Sequence, residues 1–290
     1  RAAREALPSG RTCGECARCS SSPERSNKVD VVVLLKQVPD TETLIQIADD
    51  NASIKTEDVK WVINPYDEFA VEEALRIKEK HGGKVTILTM GPERAVESIR
   101  TALAMGADEG VLIDDPATQG SDALGTAKVL AAALKEIGYD LIIAGQRAVD
   151  VDGYQVPAAV AELLGIAQVS VVIKEEITDG KIRCERTIEG GIVVVEADLP
   201  ALFTTQRGIN DPRYASLPGI MKAKKKPFVQ KTLADLGVDP SEVGEANAKC
   251  RIRSLSFPPE RSPGRIIEGE TAEAKAAELV RLLTEEAKVI

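Results

Sequence analysis

Residues 139–164 read YDLIIAGQRAVDVDGYQVPAAVAELL, and the order of apolar and polar residues in them decides the fold class. Leu141, Ile142, Ile143 and Ala144 form a short unbroken apolar run, as expected of a strand buried on both faces. Gly145 opens a turn, residues 146–154 make a polar and acidic loop, and a helix begins near Gln155. In a parallel α/β sheet, ligands bind at the loop leaving the carboxyl end of a strand, and the following helix points free backbone N–H groups at them. Residues 145–156 are therefore a candidate nucleotide site.

The same grammar extends on both sides. Residues 31–35 are a β-branched strand, ending in a turn at 36–41 that Pro39 enforces. A short strand at 61–63 leads into a helix that Asn64 caps and Pro65 opens, with Asp67 and Glu68 at the positive end of its dipole. Ala70, Val71, Ala74, Leu75 and Ile77 give that helix a core face. Strand 85–89 is broken by Gly91-Pro92 and followed by a helix marked by Ala95, Ile99, Ala102 and Leu103. Strand 111–113 and helix 121–137, ending at Gly138, complete the repeat. Alternation of this kind predicts a mostly parallel, doubly wound sheet with helices on both faces.

After strand 169–173 the pattern changes. Residues 181–188 and 192–196 flank Glu189-Gly190-Gly191, a hairpin signature in which glycines supply positive φ. Residues 201–205 return to strand, and from Arg207 the chain reads as loop, with a basic cluster at Lys222 and 224–226. Residues 227–270 have too few regular apolar positions for their own core, and a final amphipathic helix at 271–287 shows Ala272, Ala276, Leu279 and Leu283 on one side. The expected organisation is a disordered extension at 1–28, a nucleotide-binding α/β domain at 29–226, and an arm with a helix at 227–290 lying on another surface, its own domain or a partner subunit.

Composition removes several function classes. The net charge of -9 argues against nucleic acid. No apolar run reaches the roughly 18 residues of a membrane span. A single histidine, His81, sits at a predicted helix end where a cation suits the dipole, so triads and histidine-rich metal sites are not expected. Cys13, Cys16 and Cys19 form a C-x2-C-x2-C run without a fourth cysteine at cluster spacing, inside the aperiodic extension.

Neither G-x-G-x-x-G after the first strand nor a P-loop is present, so a nucleotide would be held by loops from several strands. The candidates are the segment after the first strand, residues 64–67, Met90-Gly91 and residues 145–156. Arg147 and the helix start near Gln155 suit a phosphate. Asp150 and Asp152 suit ribose or adenine groups, or magnesium, and equally a turn and cap with Gly153. Residues 187–191 read as a plain hairpin. The lysine cluster is a solvated face or a docking patch, and Leu217, beside Pro218 and Gly219, is either a partner anchor or a core residue.

Four blocks carry a resemblance: NPYDEFAVEEA at 64–74, IRTALAMGAD at 99–108, ERTIEGG at 185–191 and PRYASLPGIMK at 212–222. Together they resemble the β subunit family of electron transfer flavoproteins over about residues 31–290. The resemblance implies an adenine nucleotide hydrolase-like fold and a heterodimer with an α subunit that holds most of the FAD, with AMP bound structurally in this subunit. It implies electrons received from acyl-CoA and related dehydrogenases, as in fatty acid β-oxidation, and passed to a membrane quinone oxidoreductase, with no catalytic residue of the chain's own. The expected setting is the bacterial cytoplasm, or the mitochondrial matrix in a eukaryote.

Position by position, it implies AMP contacts at Leu34, at Asn64, Pro65, Tyr66 and Asp67, and at Met90. They continue through Gly145, Gln146, Arg147, Ala148, Val149, Asp150, Val151, Asp152, Gly153, Tyr154, Gln155 and Val156. Arg186 matches an arginine near the flavin, residues 37–41 would face the partner's flavin, and Leu217 with Lys222 matches a recognition loop for dehydrogenases. The nucleotide loop departs from the D-D-D-C-N-Q-T of AMP-binding relatives. It shares Asp150, Asp152, Gln155-Val156 and Ala161-Glu162 with bifurcating relatives that hold a second FAD and oxidise NADH, yet lacks their glycine between the aspartates and carries bulky Tyr154. AMP stands first, a second FAD is the alternative, and a nucleotide-binding sensor or scaffold without redox role is the reading from another class.

Overall fold

The structure is a computed structural model and describes residues 28–260 and 263–290. The expected extension, with its three cysteines, lies outside the described residues except for Lys28. The chain divides into two compact units, one of residues 28–45 and 55–251, the other of residues 46–54 and 252–290.

The larger unit is α/β. In chain order its elements are β1 (Val31–Leu34), β2 (Gln37–Pro39), β3 (Trp61–Ile63), α1 (Pro65–His81), β4 (Val85–Met90), α2 (Val96–Met105), β5 (Glu109–Ile113), α3 (Ala123–Ile137) and β6 (Leu141–Gly145). There follow α4 (Val156–Leu164), β7 (Ala167–Thr178), β8 (Lys181–Ile188), β9 (Gly191–Asp198), β10 (Ala201–Thr205), α5 (Leu217–Ala223), β11 (Phe228–Lys231) and the short α6 (Gly244–Asn247). Nine strands form one sheet in the order β11-β5-β4-β1-β6-β10-β7-β8-β9. It is parallel from β11 to β7, and the β7-β8-β9 meander adds the antiparallel edge.

Strand alternation sorts the core into two layers. Val31, Val33, Ile87, Ile143 and Phe203 pack with α1 and α2 on one face, while Val32, Leu34, Leu88, Ile142 and Leu202 pack with α3 and α4 on the other. The chain winds outward from β1 to β4 and β5, then crosses back to β6 on the other side of β1. This reversal opens a crevice between the carboxyl ends of β1 and β6, the usual ligand position in such sheets.

Three local expectations are corrected. Residues 37–39 form a strand against β3 instead of a turn. The backbone bonds run from Asn64 N to Lys36 O and from Asp40 N to Lys60 O, leaving Pro39 at a position that needs no N–H. Residues 217–223 form a short helix instead of loop, because Ser216 Oγ accepts the Gly219 N–H at 3.1 Å and Pro218 fits the first turn. Gly219 also lets α5 approach α2, since a Cβ there would lie 2.3 Å from the Ala104 carbonyl oxygen. Finally, residues 228–231, beyond the boundary expected at 226, pair with β5 as the outermost parallel strand.

The smaller unit contains an isolated bridge, Ile47 to Ile54, and α7 (Ala272–Glu285), which Thr271 caps by accepting the Ala274 N–H at 3.2 Å. The buried residue of α7 is Leu282; the stripe expected from Ala272, Ala276, Leu279 and Leu283 is exposed or half-buried.

Candidate functional site

Side chains from the first turn of α1 tie the strand ends around the crevice together. Asp67, 5% exposed, accepts the backbone N–H of Lys36 at 2.7 Å and of Gly145 at 2.9 Å, and so fastens the exit of β1 to that of β6. Gly145 is required here, because a Cβ would lie 2.3 Å from Asp67 Oδ1 and 2.7 Å from Tyr66 Cβ. Burial pushes the Asp67 carboxyl up to about 7, against the two donated N–H groups, which favour its ionised form.

Asn64 organises the loop beyond Gly145. Its Nδ2 donates to the Arg147 carbonyl at 2.9 Å and its Oδ1 accepts the Val149 N–H at 3.2 Å. The capping role expected from sequence is not what this side chain does: it makes no cap bond to α1. The Asp67 and Glu68 N–H groups reach the Asn64 backbone carbonyl instead, at 2.8 and 3.2 Å, which frees the amide for the loop.

The charges of the loop are matched in pairs. Arg147 Nη1 lies 2.6 and 2.7 Å from the two Asp152 oxygens, and Nη2 donates to the Tyr66 hydroxyl at 2.8 Å. Its guanidinium carbon is 5.0 Å from the Tyr66 ring centre and 5.5 Å from that of Tyr154. Lys36 Nζ reaches Asp150 at 2.7 and 2.9 Å. Asp152 and Tyr154 both have positive φ, 58° and 57°, which places two non-glycine residues of one loop in the left-handed region.

This donor set fits a nucleotide. Two cations stand at the loop that leads into α4, whose N-cap Gln155 makes no side-chain cap bond, leaving first-turn N–H groups for an anion. Arg147 Nε is buried with no partner among the described residues, a donor that a ligand oxygen would satisfy. Among the described residues no group of three acidic, histidine or cysteine side chains comes together.

Two residues of the site were missed. Lys36, two residues past β1, falls in the segment after the first strand already named as a candidate, under the rule that every parallel strand end contributes. Thr205, whose Oγ1 donates to the Tyr66 carbonyl at 3.0 Å, and Gln206, which accepts from Gln146 Nε2 at 2.6 Å, follow from the same rule applied to β10.

Comparison with known proteins agrees with this architecture. Residues 52–236 match the family model described as electron transfer flavoprotein domain. The chain is 43% identical over 270 residues to electron transfer flavoprotein subunit beta of Bacillus subtilis, covering 90% of this chain and all of the relative. It is 43% identical over 247 residues to the Mycobacterium bovis subunit, covering 83% and 93%, and 40% identical over 263 residues to that of Bradyrhizobium diazoefficiens, covering 90% and 99%. The chain belongs to the electron transfer flavoprotein beta subunit family.

As a beta subunit it implies an alpha subunit partner. Of the nucleotide candidates, Leu34 is buried at the end of β1, and Pro65, Gln146, Ala148, Val149, Val151 and Gly153 belong to the segments just described; Met90 is half-buried at the end of β4, on the other side of β1 from β6. Three others lie on different elements. Arg186 is half-buried on β8, while Leu217, 80% exposed, and Lys222 stand on α5. His81 ends α1, and burial lowers its pKa from the ordinary value, with Lys80 adding to the effect. Among the described residues, no helix is long and apolar enough to cross a membrane.

Proposed function

We propose that this beta subunit is the supporting half of an electron carrier, with AMP seated in the β1/β6 crevice and most of the FAD held by the alpha subunit. The observation that carries this is the convergence of Lys36, Arg147 and the start of α4 on one loop that Asn64 and Asp67 fasten to the sheet. Arg147, paired with Asp152, and Lys36, paired with Asp150, would receive the monophosphate, and a carboxylate so released would accept from ribose hydroxyls. The flavin supplies the electron chemistry when bound. The chain's part is to stiffen the subunit and to recognise partners, which needs no general base.

The donors are acyl-CoA or related dehydrogenases, and the acceptor is a membrane quinone oxidoreductase, in the bacterial cytoplasm that the organisms of the relatives suggest. Leu217 is the docking anchor, flanked by Lys222: a single exposed leucine in the first turn of α5 gives weak, reversible contact, as a carrier serving several donors requires.

Counting nucleotides released from the denatured heterodimer tests the reading. One FAD with AMP supports it, two FAD would make the subunit part of a bifurcating, NADH-oxidising carrier, and nucleotide without flavin would make it a sensor. In a second test, Leu217→Ala is expected to slow electron transfer from dehydrogenases at least tenfold with unchanged flavin content. Unaltered transfer kinetics would remove the docking role.

A further inference from the structure

Strand β7 carries two irregularities side by side. Against β10 it advances three residues, Val169 to Val172, for two on its neighbour, Phe203 to Thr205. Against β8 it advances two, Val172 to Lys174, for one, Arg186 to Glu185. Within the first of them Val171 has φ of 61°, a β-branched residue in the left-handed region. That conformation persists only where the surroundings impose it. Here Thr204, 3% exposed, accepts the Val171 N–H through Oγ1 at 3.0 Å, and the Gln206 N–H donates to the Val172 carbonyl at 3.1 Å. The first extra residue turns Val172 onto the core face that Val169 occupies, and the second lets Ile177 join the same cluster.

The residue paired with Val172 is Arg186. Its guanidinium makes no hydrogen bond or ion pair among the described residues, and its Nε is buried without a partner. A half-buried arginine in that state leaves a charged donor set open to an anionic or electron-rich group. Bulges beside functional sites serve to re-aim a side chain.

We propose that the Val171 bulge, locked by Thr204, is a positioning device that fixes the depth and direction at which β8 presents Arg186 to the flavin. The proposal rests on the reading of Arg186 as a flavin-facing residue. Val171 and Thr204 act only through the arginine, by holding the backbone of β7 in the register that its partner strand must follow.

The test is a redox titration of the assembled heterodimer, with amide hydrogen exchange on the flavin-depleted heterodimer as a readout independent of the cofactor. Arg186→Gln is expected to lower the flavin midpoint potential, because a fixed cation favours the more negative reduced form. Thr204→Val should lower it by at least half that shift and speed exchange across residues 170–173 at least tenfold, and Thr204→Ser should restore both. In the double variant the potential should fall no further than in Arg186→Gln alone. Thr204→Ala serves the same comparison should the valine variant not assemble. If Arg186→Gln moves the potential and both Thr204→Val and Thr204→Ala leave it unchanged, the flavin-facing reading stands and the positioning role is overturned. If Arg186→Gln itself leaves the potential unchanged, the flavin-facing reading fails and the proposal falls with it.

Discussion

The two halves of the sheet are built from similarly apolar strands and put to opposite uses. In the parallel half, every residue of β1, β6 and β10 is buried. In the antiparallel half, Ile192, Val193 and Val194 of β9 are 55%, 38% and 47% exposed. Helices on both faces make the difference: α1 and α2 cover one side of the parallel strands and α3 and α4 the other, whereas β9 ends the sheet. A β-branched run therefore marks a strand, and helical cover decides whether it is core. It also follows that the parallel half exposes chemistry only at its strand ends, where the nucleotide candidates gather.

The comparison is broken most severely from the parallel side. Phe203 on β10 is 1% exposed and among the largest fully buried side chains, so Phe203→Ala should cost about 3–5 kcal/mol in urea denaturation. A loss under about 1 kcal/mol would mean that this layer is not the core. Gly145→Ala comes next, at about 1–3 kcal/mol, because its Cβ would meet Asp67 Oδ1 at 2.3 Å. The heterodimer carrying it should also retain less nucleotide after gel filtration, since the clash lies on the clasp between β1 and β6.

Much of this layout was legible in the sequence, for reasons particular residues make plain. Ala70, Val71, Ala74, Leu75 and Ile77 lie on the buried face of α1 as their spacing requires, and the doubly wound class follows from the alternation of strand and helix. The buried Asp67, Glu72 and Glu73 of the same helix were not legible as such, because a carboxylate at helical spacing looks the same whether it faces solvent or a backbone N–H from another loop. Asn64 was assigned to a cap for the same reason: capping residues are defined by local geometry, while its real partners, Arg147 O and Val149 N, come from 83 and 85 residues away. Lys36 was legible only as part of the segment after the first strand, because its partner Asp150 stands 114 residues on. The Val171 bulge leaves no mark at all, since valine is an ordinary strand residue.

A carboxyl in each half, one buried and one half-buried, makes the next comparison, through pH. Asp67 in the parallel half is pushed up to about 7 by burial. Glu175 on β7 is also pushed up to about 7, by burial and then by the neighbouring Glu73 carboxylate. Both folded values lie above the ordinary carboxyl range, so the folded state holds the proton more tightly than the unfolded chain. The stability that this contributes is complete below about pH 4 and is lost as pH rises through 7. Each group should remove on the order of 1 kcal/mol between pH 6 and 8. Urea midpoints at those two pH values should fall accordingly, and Glu175→Gln should raise the pH 8 midpoint and flatten about half of the slope. A midpoint unchanged between the two pH values would show both carboxyls already ionised in the folded protein.

The smallest effect is expected at the hairpin. Val194 on β9 leaves nearly half its surface in water, so Val194→Ser removes little buried area, and the serine hydroxyl finds solvent. Its register opposite Glu185 is untouched, because the pairing of β8 and β9 runs through the main chain. The chain's stability should change by no more than about 0.5 kcal/mol, against several for Phe203→Ala. The ratio of the two is what tests the comparison, since both sites lose apolar atoms from a β-strand of the same sheet. A cost at Val194 above about 1 kcal/mol would show that the hairpin face is packed by the chain itself, and would end the distinction between a helix-covered half and an open one.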